Sequence, residues 1–255
     1  MNRKVAANTR KRRIHKNPGA SIIAIEKAKG MSAVGTGIYT PREVARLTGL
    51  SVARVSRWVS GYSFKYKTEL HHSAPLIASQ DKAGSSLTFL DLIEVLFVKA
   101  FLEHGVKMWK IRQAAQEAKD EFGTHHPFAV RRFETDGCDI VARIASKGRA
   151  TDCIVNVING QTFFTEIISR YLKQIDYNDF GDAFRWWPLG KEAPVFVDPK
   201  FSFGTPLTKS GHVPTHAIHC ALEAGDSAED VARWFEIPLE EVRAAEMFHQ
   251  QRMAA

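Results

Sequence analysis

Apolar residues recur at helical spacing over residues 40–61: Val44, Ala45 and Leu47 form one short stripe, and Val55, Trp58 and Val59 form a second. The polar positions between them are punctuation. Thr40 is a good N-cap, Pro41 suits the first helical position, and Glu43 completes a capping box. Thr48-Gly49-Leu50 makes a tight turn, Ser51 opens a second helix and Gly61 ends it. Two short helices joined by a Gly-containing turn predict a helix-turn-helix, whose second helix enters the major groove of DNA. Its outward residues are Ser51, Ala53, Arg54, Ser56 and Arg57. The small ones allow close approach to base edges, and the arginines can reach guanine or phosphate. Thr40 and Arg42, at the start of the first helix, join them as candidate DNA contacts.

The helical period returns at 88–123. Thr88 caps a helix with Asp91 at its third position and Leu92, Val95, Leu96, Val98 and Phe101 on its buried face. His104-Gly105 breaks the chain before a second helix that turns Trp109, Ile111 and Ala114 inward. The intervening stretch, 62–87, is rich in Tyr, Lys, His and Ser and reads as a wing hairpin and loop, from which Lys65, Lys67, His71 and His72 could touch a DNA backbone. From 127 to 175 the period changes to that of strands, with one hairpin predicted around Asp136-Gly137 and another around Asn159-Gly160. A helix carrying Ile167, Ile168, Tyr171, Leu172 and Ile175 follows, and 176–190, with Trp186-Trp187, reads as a docked linker. A short strand at 194–199 then leads to three helical patterns, Thr215 to Ala224, Ser227 to Phe235, and Leu239 to about Gln250. The expected fold is α+β, mainly α. It has a flexible arm at 1–37, a winged helix-turn-helix at 38–123, a small α+β middle and dimerisation domain at 124–190, and a C-terminal helical domain at 191–255 that itself resembles a helix-turn-helix.

Charge sharpens this organisation. The chain of 255 residues carries a formal +7, yet residues 1–30 alone hold nine Lys or Arg against one acid, so the remaining 225 residues are net −1. The basic arm holds too few large apolar residues to fold alone and suits salt-sensitive contact with phosphates; Met31, followed by a smooth lead into the first domain, suggests an alternative start. Aligned at an offset of 187 residues, Thr40, Glu43-Val44-Ala45-Arg46, Leu50 and Val55 match Ser227, Asp230-Val231-Ala232-Arg233, Ile237 and Val242. The chain thus repeats its helix-turn-helix pattern. The outward positions change sign: Ala53, Arg54 and Arg57 correspond to Glu240, Glu241 and Ala244. Residues 40–57 are net +3 and residues 226–246 net −5. DNA would repel the second unit. It is expected instead to present Trp234, Phe235, Glu240, Glu241 and Met247 to a basic protein partner.

Other chemistry is sparse. Cys138, Cys153 and Cys220 form no CxxC pair and read as reduced thiols. His212, His216, His219 and Cys220 have a spacing compatible with a metal, but histidines at helix starts commonly pack or cap, and neither metal nor cofactor is expected. There is no phosphate loop, HExxH or GxSxG, which argues against an enzyme. No apolar run approaches the roughly 20 residues of a membrane span, and a cytoplasmic location is expected.

Residues 40–61 and 88–123 together resemble the winged helix-turn-helix of MerR-type regulators, though no heptad run follows Gly123 to supply that family's dimerising coiled coil. The C-terminal segment resembles VapB-like antitoxins through Gly204, Pro206, Gly211, Pro214, Gly225, Ser227, Val242 and Ala245; that family usually has an arginine after the turn glycine, where this chain has His212. The second resemblance implies an antitoxin of a type II toxin–antitoxin system. Such a protein would neutralise a PIN-like ribonuclease toxin and, as a homodimer on an inverted-repeat operator, repress its own promoter. The alternative is a MerR-like regulator that senses a small molecule or metal.

Overall fold

A computed structural model describes residues 38–77, 86–133, Gly137, Ile140 and 169–253, all within one compact unit spanning 34–255. The basic arm and the hairpin expected at 153–164 lie outside the described residues. Among those described, the fold is a mainly helical α+β arrangement with eight α-helices and three two-stranded antiparallel sheets. Helices α1 (Pro41–Thr48) and α2 (Val52–Ser60) are followed by the wing, β1 (Tyr62–Tyr66) and β2 (Glu69–Ser73). Helices α3 (Phe89–Glu103) and α4 (Met108–Phe122) come next.

The capping boxes predicted from Thr40 and Thr88 are both formed. Tyr39 and Leu87 bridge to each other through both backbone N–H groups at 2.8 Å, which brings the starts of α1 and α3 side by side. Helix α3 is apolar nearly all round and runs through the core. Such a helix must be covered on every side. Part of its cover comes from Phe128 and Phe133, which lie 4.9 Å apart and pack with Phe97 and Phe101 of α3 at ring separations of 5.6–6.4 Å.

That cluster overturns the hairpin expected around Asp136-Gly137. Pro127–Ala129 form a 3-10 turn, Arg132 and Phe133 are helical, and so are Gly137 and Ile140. Phe128, Phe133 and Ile140 are fully buried. Burying them on one side of a coiled backbone outweighs the local turn preference of Asp-Gly. A second correction concerns 175–190. After the short helix α5 (Ser169–Leu172), Ile175 leaves the helical path, and β3 (Ile175–Tyr177) pairs with β4 (Ala183–Trp186). This hairpin is part of the core: Trp186 is buried in it, and the Trp187 indole N–H donates to Asp176 at 2.7 Å.

The C-terminal segment is tied to the same core. Strand β5 (Val195–Phe196) pairs with β6 (Leu207–Thr208), Val197 bridges to Trp186, and Arg185 donates twice to the buried Asp198 carboxylate at 2.9 and 3.1 Å. Helices α6 (Thr215–Glu223), α7 (Ala228–Trp234) and α8 (Leu239–Met253) enclose a small core of Ile218, Val231, Ile237, Val242 and Ala245. Ala244 and Phe248, from other positions on α8, join the main core. The Tyr39 hydroxyl donates to the Gly204 carbonyl at 3.1 Å. Gly204 has φ +82°, and a Cβ there would lie 1.8 Å from that hydroxyl, so this contact requires glycine.

Candidate nucleic-acid interface

The position of α2 follows from what α1 and α3 do to it. Val44, Ala45 and Leu47 of α1 and Val55, Trp58 and Val59 of α2 are buried against one another. Gly49 closes α1 in the left-handed conformation, φ 68°, and the Lys99 ammonium from α3 donates to the Thr48 carbonyl at 2.6 Å. A cation at a helix C-terminus complements its orphan carbonyls. With its inner face thus held, α2 leaves Ser51, Ala53, Arg54 and Arg57 exposed and Ser56 half-buried. Ser51 sits at the N-cap without a side-chain capping bond. Thr40 and Arg42 are exposed at the start of α1, where the Thr40 hydroxyl is engaged in the capping box.

The wing places its two lysines differently. The register pairs Lys65 with Leu70 across the sheet, on the face opposite Tyr62, Phe64 and Tyr66. Lys67 lies in the turn with φ 55° and its ammonium over the Tyr66 ring. Arg57 reaches back from α2 to stack over Tyr62 at 5.6 Å. Gly61 joins helix to wing: with φ +72° and a Cβ position 2.5 Å from the Ser73 carbonyl, it admits no side chain. Arg112 of α4 secures the base of the wing by donating to the Ser73 hydroxyl at 3.0 Å and the Pro75 carbonyl at 3.4 Å.

A groove of about 440 Å³ results, walled by Arg54, Arg57, Tyr62, Lys99 and Arg112, with Glu103 ion-paired to Lys99 at 3.5 Å. Sequence reasoning finds Arg54 and Arg57 but misses Lys99, Arg112 and Tyr62. No local signal marks the first two, which reach the groove from α3 and α4 across the intervening wing. Tyr62 was visible only as one aromatic in a hairpin.

The second unit repeats the first in backbone detail. The Leu50 N–H donates to the Ala45 carbonyl at 3.0 Å, and Ile237 to Ala232 at the same distance; Gly49 at φ 68° corresponds to Glu236 at φ 54°. Ser227 caps α7 by accepting from the Asp230 N–H, and the Ser227 hydroxyl holds the Asp230 carboxyl below its usual range. The outward face nevertheless differs from expectation. Glu241, equivalent to Arg54, is 3% exposed and accepts from the Ser210 N–H at 2.9 Å, while Ala244, equivalent to Arg57, is buried in the main core. Glu241 is therefore a structural residue and not a surface acid. Phe235 is half-buried against the small core. Trp234, Glu240 and Met247 remain exposed.

The histidines near this unit are occupied by packing. His212 stacks on Phe201 at 4.8 Å, His219 stacks on His249 at 4.4 Å, and His216 lies 3.6 Å from the Cys220 sulfur. Burial, then the neighbouring His219 and His216, lower His249 to about 4. Among the described residues no group of three or more His, Cys, Asp or Glu is placed to hold a metal ion, and no helix is long and apolar enough to cross a membrane.

Residues 37–115 match the family described as "Putative DNA-binding HTH domain", a span covering α1, α2, the wing, α3 and half of α4. The fold is shared with the crystal structure of Rv2018 from Mycobacterium tuberculosis, at a TM-score of 0.62 and 21% identity over 82% of this chain and 96% of that one. Over 221 residues, 82% of this chain and 92% of the relative, the sequence is 26% identical to "Putative antitoxin VapB45" of Mycobacterium tuberculosis (strain ATCC 25618 / H37Rv). The chain is a distant homologue of that relative and contains a helix-turn-helix region of the DNA-binding type.

Proposed function

We propose that the chain is an antitoxin that represses its own promoter through α1, α2 and the wing, and neutralises a PIN-like ribonuclease toxin through its C-terminal module. The observation that carries this reading is the contrast between its two helix-turn-helix units. The first presents Arg54 and Arg57 on an open recognition helix; the second buries their counterparts, Glu241 and Ala244, and leaves Glu240 and Trp234 exposed. A PIN-type nuclease holds metal ions with acids and offers a basic surface to RNA, which an acidic face rimmed by Trp234, Glu240 and Met247 would complement. Dimerisation would place two α2 helices in successive major grooves of an inverted repeat.

The test separates the two roles. Co-expression of the chain with the product of its neighbouring reading frame should restore growth. Trp234→Ala with Glu240→Lys should abolish that rescue and leave operator binding within about twofold, the range of ordinary surface substitutions. Arg54→Ala with Arg57→Ala should weaken operator binding by about 10²-fold or more, at roughly 1–3 kcal/mol per lost contact, and spare rescue. Equal loss of both functions in either pair would overturn the division.

A further inference from the structure

The wing carries an aromatic surface that the core does not use. Tyr62, Phe64 and Tyr66 alternate along β1 and so share one face, and the register adds His71 opposite Phe64. Every residue of β1 is exposed, with Tyr66 at 61%. The rings contact in series: Tyr62 with Phe64 at 5.7 Å, Phe64 with His71 at 5.6 Å and His71 with Tyr66 at 6.1 Å. A cation closes each end, Arg57 over Tyr62 and Lys67 over Tyr66. The series begins on the recognition helix, and Tyr62 also walls the basic groove beside it.

We infer that this cation-ended aromatic ladder lies over the minor groove flanking the major-groove half-site and selects A·T pairs there. The inference rests on the DNA-binding reading above and deepens it. Arg57 fixes the near end of the ladder at the edge of the groove that α2 occupies. Four residue steps of strand carry the far end about 13 Å away. That separation suits two cations contacting phosphates on opposite sides of a minor groove roughly 6 Å wide between its walls. The rings between them then cover the groove floor. There an A·T pair shows only acceptors, to which the Tyr62 and Tyr66 hydroxyls can donate, whereas G·C adds the guanine amino group. Phe64, at the centre of the ladder, has no acceptor for that amino group, which would lose its water without a replacement.

The experiment uses the full chain and a duplex it selects from a randomised pool. Replacing flanking A·T pairs by G·C should weaken binding about fivefold per pair, the lower end of the cost of an unfavourable base pair. Replacing them by inosine·C, which carries the major-groove pattern of G·C but lacks the minor-groove amino group, should restore binding. The Phe64→Ser, Tyr66→Ser double variant, checked for an unchanged melting temperature, should bind all three duplexes equally. Indifference of the wild-type chain to the flank would overturn the inference, and so would a G·C penalty that inosine does not relieve, which would mean readout in the major groove. Tighter binding to the separated single strand than to the duplex would also overturn it. Failure of the chain to select any duplex, with Arg54→Ala having no effect, would instead remove the DNA-binding reading itself.

Discussion

Glu94 shows how much one side chain can depend on its surroundings. It lies on α3 with 3% of its surface exposed, and its Oε1 accepts from the Phe128 N–H at 2.6 Å. Burial pushes its carboxyl up to about 8, with the neighbouring Asp91 raising it further and the Phe128 and Ala129 N–H groups opposing. Between the ordinary value of 4.5 and 8 the folded chain keeps a proton that the unfolded chain has released. Its contribution to stability is therefore complete below that window and declines as pH rises through it. Glu94→Gln keeps the acceptor for Phe128 and removes the titration. Thermal unfolding against pH should show the variant matching wild type near pH 4.5 and melting higher at pH 8, by on the order of 10 °C for the ~4 kcal/mol that linkage across this window implies. Parallel profiles for the two proteins would contradict it. In the sequence Glu94 is one polar letter in an apolar helix, whereas Asp91, three residues from Thr88, is legible as a cap because capping is local.

At the scale of elements, the helix-turn-helix units were the most legible part of the chain. Their caps, turns and short-range apolar contacts all lie within about twenty residues, and the offset of 187 reproduces matching backbone bonds in both. Direction was not legible. Helix α8 has apolar residues on two sides: Val242 and Ala245 serve the small core, and Ala244 and Phe248 the main one. A sequence shows that a helix has a second apolar side but not which neighbour will cover it, so Glu241 and Ala244 read as outward by analogy with Arg54 and Arg57. Ala244→Glu tests the observed packing. It buries an unpaired carboxylate and should cost about 3 kcal/mol or more, seen as a lower denaturant midpoint with an unchanged slope. Glu240→Ala, one turn earlier on the exposed side, should shift the midpoint by no more than about 0.5 kcal/mol. The hairpin expected at Asp136-Gly137 failed for a related reason. A turn dipeptide is a local preference, and Phe97 and Phe101, some thirty residues earlier in the chain, offered Phe128 and Phe133 a larger gain through burial.

For the whole molecule, one main core among the described residues takes side chains from Tyr39 to Phe248. Val195, Val197 and Phe248 each contribute on the order of 1.5–3 kcal/mol by burial, together comparable to the roughly 5–15 kcal/mol by which domains are stable. Removing residues 191–255 should therefore leave a fragment that lacks a cooperative thermal transition and loses operator binding, although Arg54 and Arg57 remain. Calorimetry and a binding titration on the fragment would check this; a sharp transition with undiminished affinity would show that the N-terminal region folds independently. The same continuity connects the two helix-turn-helix units: α1 meets the C-terminal segment through Tyr39 and Gly204, and α8 packs Ala244 and Phe248 into the core that also holds α1.

The sequence by itself determined the local elements, the repeat and the distribution of charge. Capping, turn geometry and apolar period act over a few residues, and charge is a property of composition. Only the tertiary structure decided that the first repeat keeps Arg54 and Arg57 exposed while their counterparts Glu241 and Ala244 are buried. It also decided that Lys99, Arg112 and Tyr62 meet Arg54 and Arg57 around one groove, and that four aromatics on the wing form a ladder between two cations. Those outcomes depend on which distant surfaces bury one another, and that competition is settled by packing across the whole chain.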